Sequence, residues 1–259
     1  MNEKSLRAAL RPLPLGTLDY HDCLGSTNDQ ALAWAVSGAP DLSLVYSEEQ
    51  TAGRGRGERV WVTPAHTALA FSLILRPGAA ETAVPSLLSG LAAVAVCQAL
   101  EETGLAPEIK WPNDILLGGR KLGGVLVEAV WSGDHLDCFV LGVGVNVLSR
   151  AVPAIGKLQF PATSLEDETG HPVDRLELLK EILVALLSWR KRMTGDLLCQ
   201  AWESRLAYRG REVELIPDQG ETRRGRLLGL NSDGSLRLAG GDGQVLLVRC
   251  GDIRLRPQV

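Results

Sequence analysis

The chain has no two cysteines close enough in sequence to suggest a zinc site or a redox dithiol. Cys23, Cys97, Cys138, Cys199 and Cys250 are scattered singly, which suits reduced thiols buried in a core. Its four histidines, His21, His66, His135 and His171, also lack the close spacing of a helical metal site, so a structural transition metal is not expected. No charged start leads into an apolar run of the secretory kind. The longest apolar stretch, near residues 87–100, is too short and too interrupted to cross a bilayer, and a cytoplasmic protein is the expectation. Positive charge is not in surplus either: 27 Lys and Arg against 31 Asp and Glu leave a formal charge of -4, which disfavours a general binder of nucleic acid or anionic membranes. Any anion site must therefore be local. Internal repeats and low-complexity segments are absent. So are two common phosphate-loop patterns: GxGxxG fails at Glu58, and GxxxxGK[ST] occurs nowhere, which disfavours a dinucleotide fold and a P-loop.

What is present is a chain of 259 residues, 45% hydrophobic, enough for one substantial core and a small appended unit. The segment through Asp22 is short, carries Pro12 and Pro14, and reads as an arm or an edge strand; it leaves no room for a helical DNA-binding module. Ser26 or Thr27 is placed to cap a helix from about Asn28 to Ser37. Leu42 to Tyr46 and Thr67 to Leu75 read as strands. Pro85 opens a second helix that Gly104 ends. Ile109 to Trp111 is a short strand, Gly118-Gly119 a hairpin turn, and Lys121 begins a long strand toward Trp131 that is followed by another through Gly142 to Val147. Asp174 with Glu177 resembles a capping box for a helix running toward Arg192, and a shorter helix spans about Leu197 to Leu206. From Gly210 onward short strands alternate with turns, the pattern of a small β-barrel. The fold class is α/β (α+β), a mixed sheet with packed helices; residues 1–206 form the main domain and 207–259 the small one.

The stretch Ala52-Gly53-Arg54-Gly55-Arg56-Gly57-Glu58-Arg59-Val60-Trp61 interleaves glycine with guanidinium groups between two strands. Glycine lets a backbone approach a ligand closely, and arginine supplies fixed positive charge for a carboxylate or phosphate. Read alone, it is also compatible with a solvated turn. Ser26-Thr27-Asn28 alone reads as a helix cap, Asn113-Asp114 as a turn motif beside Pro112, and Lys121 as a cation at a strand end. Trp61 suits a core anchor or a loop wall equally, while Trp111 and Trp131 read as packing residues.

Taken together, the blocks resemble the biotin protein ligases. These are Ser26-Thr27-Asn28; Gln50 with Gly53-Arg54-Gly55-Arg56, Arg59 and Trp61; Lys110-Trp111-Pro112-Asn113-Asp114; and Arg120-Lys121-Leu122-Gly123-Gly124-Val125-Leu126-Val127-Glu128. Gly142-Val143-Gly144-Val145-Asn146 and Pro161-Ala162-Thr163-Ser164-Leu165 extend the match. The resemblance implies a catalytic domain similar to class II aminoacyl-tRNA synthetases followed by an SH3-like β-barrel. It also implies activation of biotin by ATP and transfer to a lysine of a biotin carboxyl carrier protein, with Mg²⁺ as cofactor.

By the same resemblance, Ser26, Thr27, Asn28 and Gln50 face the ureido ring. Gly53, Arg54, Gly55, Arg56, Lys121 and Gly124 line the rest of the biotin site, and Arg56 and Lys121 carry catalysis. Arg56, Arg59, Lys110, Asn113, Asp114 and Asn146 surround ATP, with Asp114 the expected Mg²⁺ partner. The residue types suit this chemistry, since a neutral ring needs amide and hydroxyl partners, and carboxylate attack on a charged phosphorus needs cations. Family members often carry a further arginine where this chain has Gly57-Glu58, which puts adenylate retention in question. A homodimer is compatible with the resemblance, and sequence-specific DNA is not an expected partner. Alternatives are a lipoate protein ligase, a biotin-responsive repressor and a non-catalytic biotin-binding module.

Overall fold

The computed structural model describes residues 1–57, 59–82, 84–153, 160–217, 221–241, 243–249 and 253–257. In chain order the elements are α1 (Glu3–Leu10), β1 (Leu18–His21), α2 (Thr27–Val36), β2 (Leu44–Ser47), β3 (Ala68–Leu75), α3 (Ala79–Thr82), α4 (Leu87–Glu101), β4 (Glu108–Lys110), β5 (Asp114–Leu117), β6 (Arg120–Ser132) and β7 (His135–Asn146). Then come α5 (Leu165–Thr169), α6 (Arg175–Arg190), α7 (Asp196–Ser204), β8 (Glu212–Pro217), β9 (Arg223–Leu230), β10 (Leu236–Ala239), β11 (Val245–Val248) and β12 (Ile253–Pro257).

Seven strands form one mixed sheet in the order β1-β2-β3-β7-β6-β5-β4, antiparallel except for the parallel β1/β2 pair at one edge. Alternation of side chains gives the sheet two apolar faces. Leu44, Tyr46, Leu73, Leu75, Phe139 and Leu141 face the main core, which contains α4, α6, α7 and the buried side of α1. Val45, Ile74, Cys138 and Val140, one position out of phase, meet Ala31 and Ala35 of α2 on the other face. Helix α4 is buried almost all round because sheet, α6 and α7 enclose it, which accounts for its nearly unbroken apolar sequence. Gly118 and Gly119 take φ of 57° and 72° in the β5–β6 turn, a left-handed pair that glycine adopts without a Cβ clash.

The second sheet, β11-β10-β9-β8-β12, is antiparallel throughout and is the all-β unit expected at the C-terminus. Its β9–β10 turn docks on the main core: Trp111 Nε1 donates to Gly234 O at 3.1 Å, and Ser86 Oγ to Asp233 O at 2.6 Å. Glu203 of α7 accepts from Leu230 N at 2.7 Å. Among the described residues no helix is long and apolar enough to cross a membrane.

Two expectations need correction. The first segment supplies the edge strand β1 but also a helix, α1, because Asn2 and Ser5 form a reciprocal capping box and Leu6 and Leu10, one turn apart, are both buried. Trp131 is not a packing residue: a register shift between Val130 and Trp131 precedes the β6–β7 turn, and the indole there is 60% exposed.

Candidate functional site

The start of α2, the loop between β2 and β3, the β4–β5 turn and the adjoining ends of β6 and β7 enclose a cavity of about 480 Å³, within the range of small-molecule sites. At one end most of its polar groups are neutral amides and hydroxyls. Ser26 caps α2, its Oγ accepting from Asp29 N at 3.4 Å. Gln50 Oε1 accepts from Thr27 N at 2.7 Å and Thr27 Oγ1 at 3.1 Å, while its Nε2 donates to Thr63 Oγ1 at 3.1 Å. Ser72 Oγ donates to Asn28 Oδ1 at 2.6 Å, and Asn28 Nδ2 donates to Glu128 Oε2 at 2.8 Å. Ser26, Thr27 and Asn28 are buried, so the helix cap and the cavity wall are the same residues.

The Gly-Arg loop is a small hairpin over this cavity. Gly55 N donates to Arg59 O at 2.7 Å, Trp61 N donates to Gly53 O at 2.8 Å, and Gln50 pairs with both Leu24 and Thr63. Trp61 lies on β7 where Gly144 bares the backbone: a Cβ at Gly144 would come within 2.4 Å of the indole. A Cβ at Gly142 would meet Asn28 Oδ1 at 2.1 Å. Glycine at the alternate positions 142 and 144 thus clears this part of one strand face for the cavity.

The opposite end is charged. Asp114 is buried, accepting from Lys121 Nζ at 2.5 Å and Lys110 Nζ at 3.4 Å. Burial alone would raise its pKa, but the charges of Lys121 and Lys110 outweigh it and hold the carboxyl below its ordinary value. Lys110 Nζ also lies 4.2 Å from the Phe160 ring centroid, and Lys121 Nζ 5.8 Å from that of Trp61. Asn113 Nδ2 donates to Val125 O at 2.6 Å and Asn146 Nδ2 to Thr163 O at 3.0 Å, so each amide is partly spent on backbone. Segment 161–163 runs beside β6, with Lys121 N donating to Pro161 O at 2.8 Å and Thr163 N to Lys121 O at 2.9 Å.

Of the residues singled out in the sequence, Ser26, Thr27, Asn28, Gln50, Arg54, Gly55, Arg56, Arg59, Lys110, Asn113, Asp114, Lys121, Gly124 and Asn146 all line this one cavity. Gly53 does not. It supports the loop from below, where a Cβ would come within 2.3 Å of Trp61 O. Arg54 lines the cavity but is held by acidic partners that the sequence did not indicate. Its guanidinium makes a bidentate pair with Glu128, at 2.9 and 2.6 Å, and a 2.8 Å contact with Asp29, beside Asn28 at the neutral end. Glu58 lies outside the described residues; Gly57, with φ of 66°, is in the left-handed region at the loop tip.

The Mg²⁺ expectation at Asp114 does not fit the donor set. Both carboxylate oxygens face lysine ammonium groups, and among the described residues no three His, Cys, Asp or Glu side chains cluster as metal ligands. The sequence pattern assigns no role to Phe160, Gly142 or Gly144, all of which line the cavity, and leaves Trp61 open. The Gly-Val-Gly-Val alternation signals a strand face cleared of side chains; Phe160 has no comparable local signal.

Comparison with known proteins agrees with this geometry. A model of the Biotin/lipoate A/B protein ligase family matches residues 20–146. The bifunctional ligase/repressor BirA of Bacillus subtilis strain 168 is 36% identical over 94% of this chain and 76% of its own length. The biotin–[acetyl-CoA-carboxylase] ligase of Paracoccus denitrificans is 35% identical over 86% of this chain and 94% of its own. A solved structure of the biotin protein ligase of Aquifex aeolicus in complex with biotin and ATP superposes with a TM-score of 0.80 and 28% identity, over 93% of this chain and 99% of that one.

Proposed function

The chain belongs to the Biotin/lipoate A/B protein ligase family, and we propose that its cavity activates biotin with ATP and passes the biotinyl group to a carrier lysine. The observation that carries this reading is one cavity with a neutral amide and hydroxyl end and a cationic end. A ureido ring fits the former, and a carboxylate meeting a phosphate fits the latter.

In the first step a biotin carboxylate oxygen bonds to the α-phosphorus of ATP, the bond from that phosphorus to the bridging oxygen breaks, and pyrophosphate leaves. Lys121 and Arg56 offset the repulsion between the two anions. Asp114, accepting from Lys121 Nζ, keeps that ammonium in place. In the second step a neutral carrier lysine attacks the carbonyl carbon of the adenylate, AMP leaves, and the amine loses a proton. The loop hairpin and Trp61 cover the anhydride from water.

Lys110, Asn113, Arg59 and Asn146 are assigned to the nucleotide. Mg²⁺ belongs to this reading as a partner of the nucleotide's phosphates, which offer the oxygen ligands it prefers, and not as a resident ion of the protein. The acceptor is a biotin carboxyl carrier protein of the acetyl-CoA-carboxylase type, supported by the names of relatives such as that of Paracoccus denitrificans. Residues 1–206 are taken as the catalytic unit and 207–259 as the small β domain, supported by the break between α7 and β8.

A lipoate ligase would share the activation chemistry but not the need for polar groups around a ring. Pyrophosphate release measured with ATP, Mg²⁺ and either biotin or lipoate tests the reading. Release with biotin is the expected result, and release with lipoate alone overturns it.

A further inference from the structure

We propose that Glu128 is a positioning residue for the biotin site, fixing the amide of Asn28 and anchoring the Gly-Arg loop through one carboxylate; this rests on the cavity being a biotin site. Glu128 stands on β6 and is not among the cavity's lining residues, whereas Asn28 and Arg54 both are. It acts through them. Its Oε2 accepts from Asn28 Nδ2 at 2.8 Å and Arg54 Nη2 at 2.6 Å, and its Oε1 from Arg54 Nη1 at 2.9 Å.

An ionised carboxylate only accepts hydrogen bonds, so the Asn28 amide must turn its nitrogen toward Glu128 and its oxygen toward Ser72, which lies 2.6 Å away. Flipping the amide would set oxygen against oxygen. The side chain thus presents a fixed polarity to the cavity. One lone pair is left for a neutral polar ring, with an amide nitrogen whose further contact, to Leu126 O, is a long 3.5 Å. The same carboxylate ties Arg54, and with it the loop hairpin, to the central sheet. Asp29 adds a second, more exposed hold at 2.8 Å.

The two functions separate by mutation. Glu128→Gln keeps the size of the side chain but cannot accept from Asn28 and from both guanidinium nitrogens at once. Arg54→Gln releases the loop but leaves Asn28 held. Measured on the full chain, Glu128→Gln should raise the KM for biotin by about tenfold, the scale of a lost charge-assisted hydrogen bond, and leave the KM for ATP within about twofold. It should also speed release of the preformed adenylate, followed by chase with unlabelled biotin. Arg54→Gln should speed that release with a smaller rise in biotin KM. A general folding defect would instead lower the active fraction and spare both KM values.

Biotin KM and adenylate release both within about twofold of wild type in Glu128→Gln overturn the proposal. If Glu128→Gln does not fold, unchanged adenylate release in Arg54→Gln contradicts the anchor. A wild-type protein with no biotin-dependent pyrophosphate release would instead overturn the assignment of the cavity.

Discussion

Asp114→Ala should destabilise the protein by about 3 kcal/mol, because it takes a buried carboxylate away from two lysines. Lys110 is 5% exposed and its ammonium lies 3.4 Å from Asp114, so the change takes one charge-assisted contact from a buried ammonium. Breaking a buried ion pair from one side costs roughly 3–5 kcal/mol. Lys121, with its side chain 27% exposed, can turn toward water and adds less. The Lys110 contact with the Phe160 ring, at 4.2 Å, survives the change and favours the lower end of the range. For a chain of this size, ~3 kcal/mol corresponds to a fall in Tm of roughly 6–12 °C.

The pH dependence has a definite sign. The folded pKa of Asp114 lies below its ordinary value, because the Lys121 and Lys110 charges outweigh burial. Its contribution is therefore fully present above the unfolded pKa, about 3.9, and is lost as pH falls through the folded value. Thermal melts of wild type and variant, run in chelator, should show a constant gap from neutral pH down to about 5 that narrows below about 4. Melts within about 2 °C of each other at neutral pH refute the charge-pair account, as does a gap that appears only when Mg²⁺ is added.

Lys121→Ala should lower the rate of biotin-dependent pyrophosphate release by roughly 10²–10³, the scale of losing one preorganised charge at a reacting centre, as followed by a coupled phosphate assay. An undiminished rate would remove Lys121 from the first step. Gly144→Ala places a Cβ within 2.4 Å of the Trp61 indole, so the loop wall must move. The expected results are a stability loss of about 1–3 kcal/mol and a raised KM for biotin, checked by denaturant melts and steady-state kinetics.

Local chemistry was the legible part of this chain. Ser26 caps α2, Gly118-Gly119 turns β5 into β6, and Asp174 caps α6 by accepting from Leu176 and Glu177 N–H groups, all decided within a few residues. The gathering of the cavity residues was legible through the resemblance of several separated blocks, no one of which sufficed alone. What escaped was set by distant partners. Arg54 carries the same charge as Arg56, and only the fold brings Glu128, 74 residues later, against its guanidinium. Asp114 reads as a turn residue or a metal ligand until two lysines are seen on either side of it. Glu48, fully buried, meets Arg175 at 2.7 Å across 127 residues, a pairing that no local pattern announces. Helix α1 was missed for another reason: eight residues carry only two buried leucines, too little periodicity to stand out beside two prolines.

Mass spectrometry of a biotin carboxyl carrier domain, after incubation with this protein, biotin, ATP and Mg²⁺, tests the central claim most directly. The account predicts a gain of one biotin less one water on a single lysine, dependent on ATP and accompanied by AMP and pyrophosphate. A carrier that stays unmodified under these conditions, or that is modified only when lipoate replaces biotin, would contradict it.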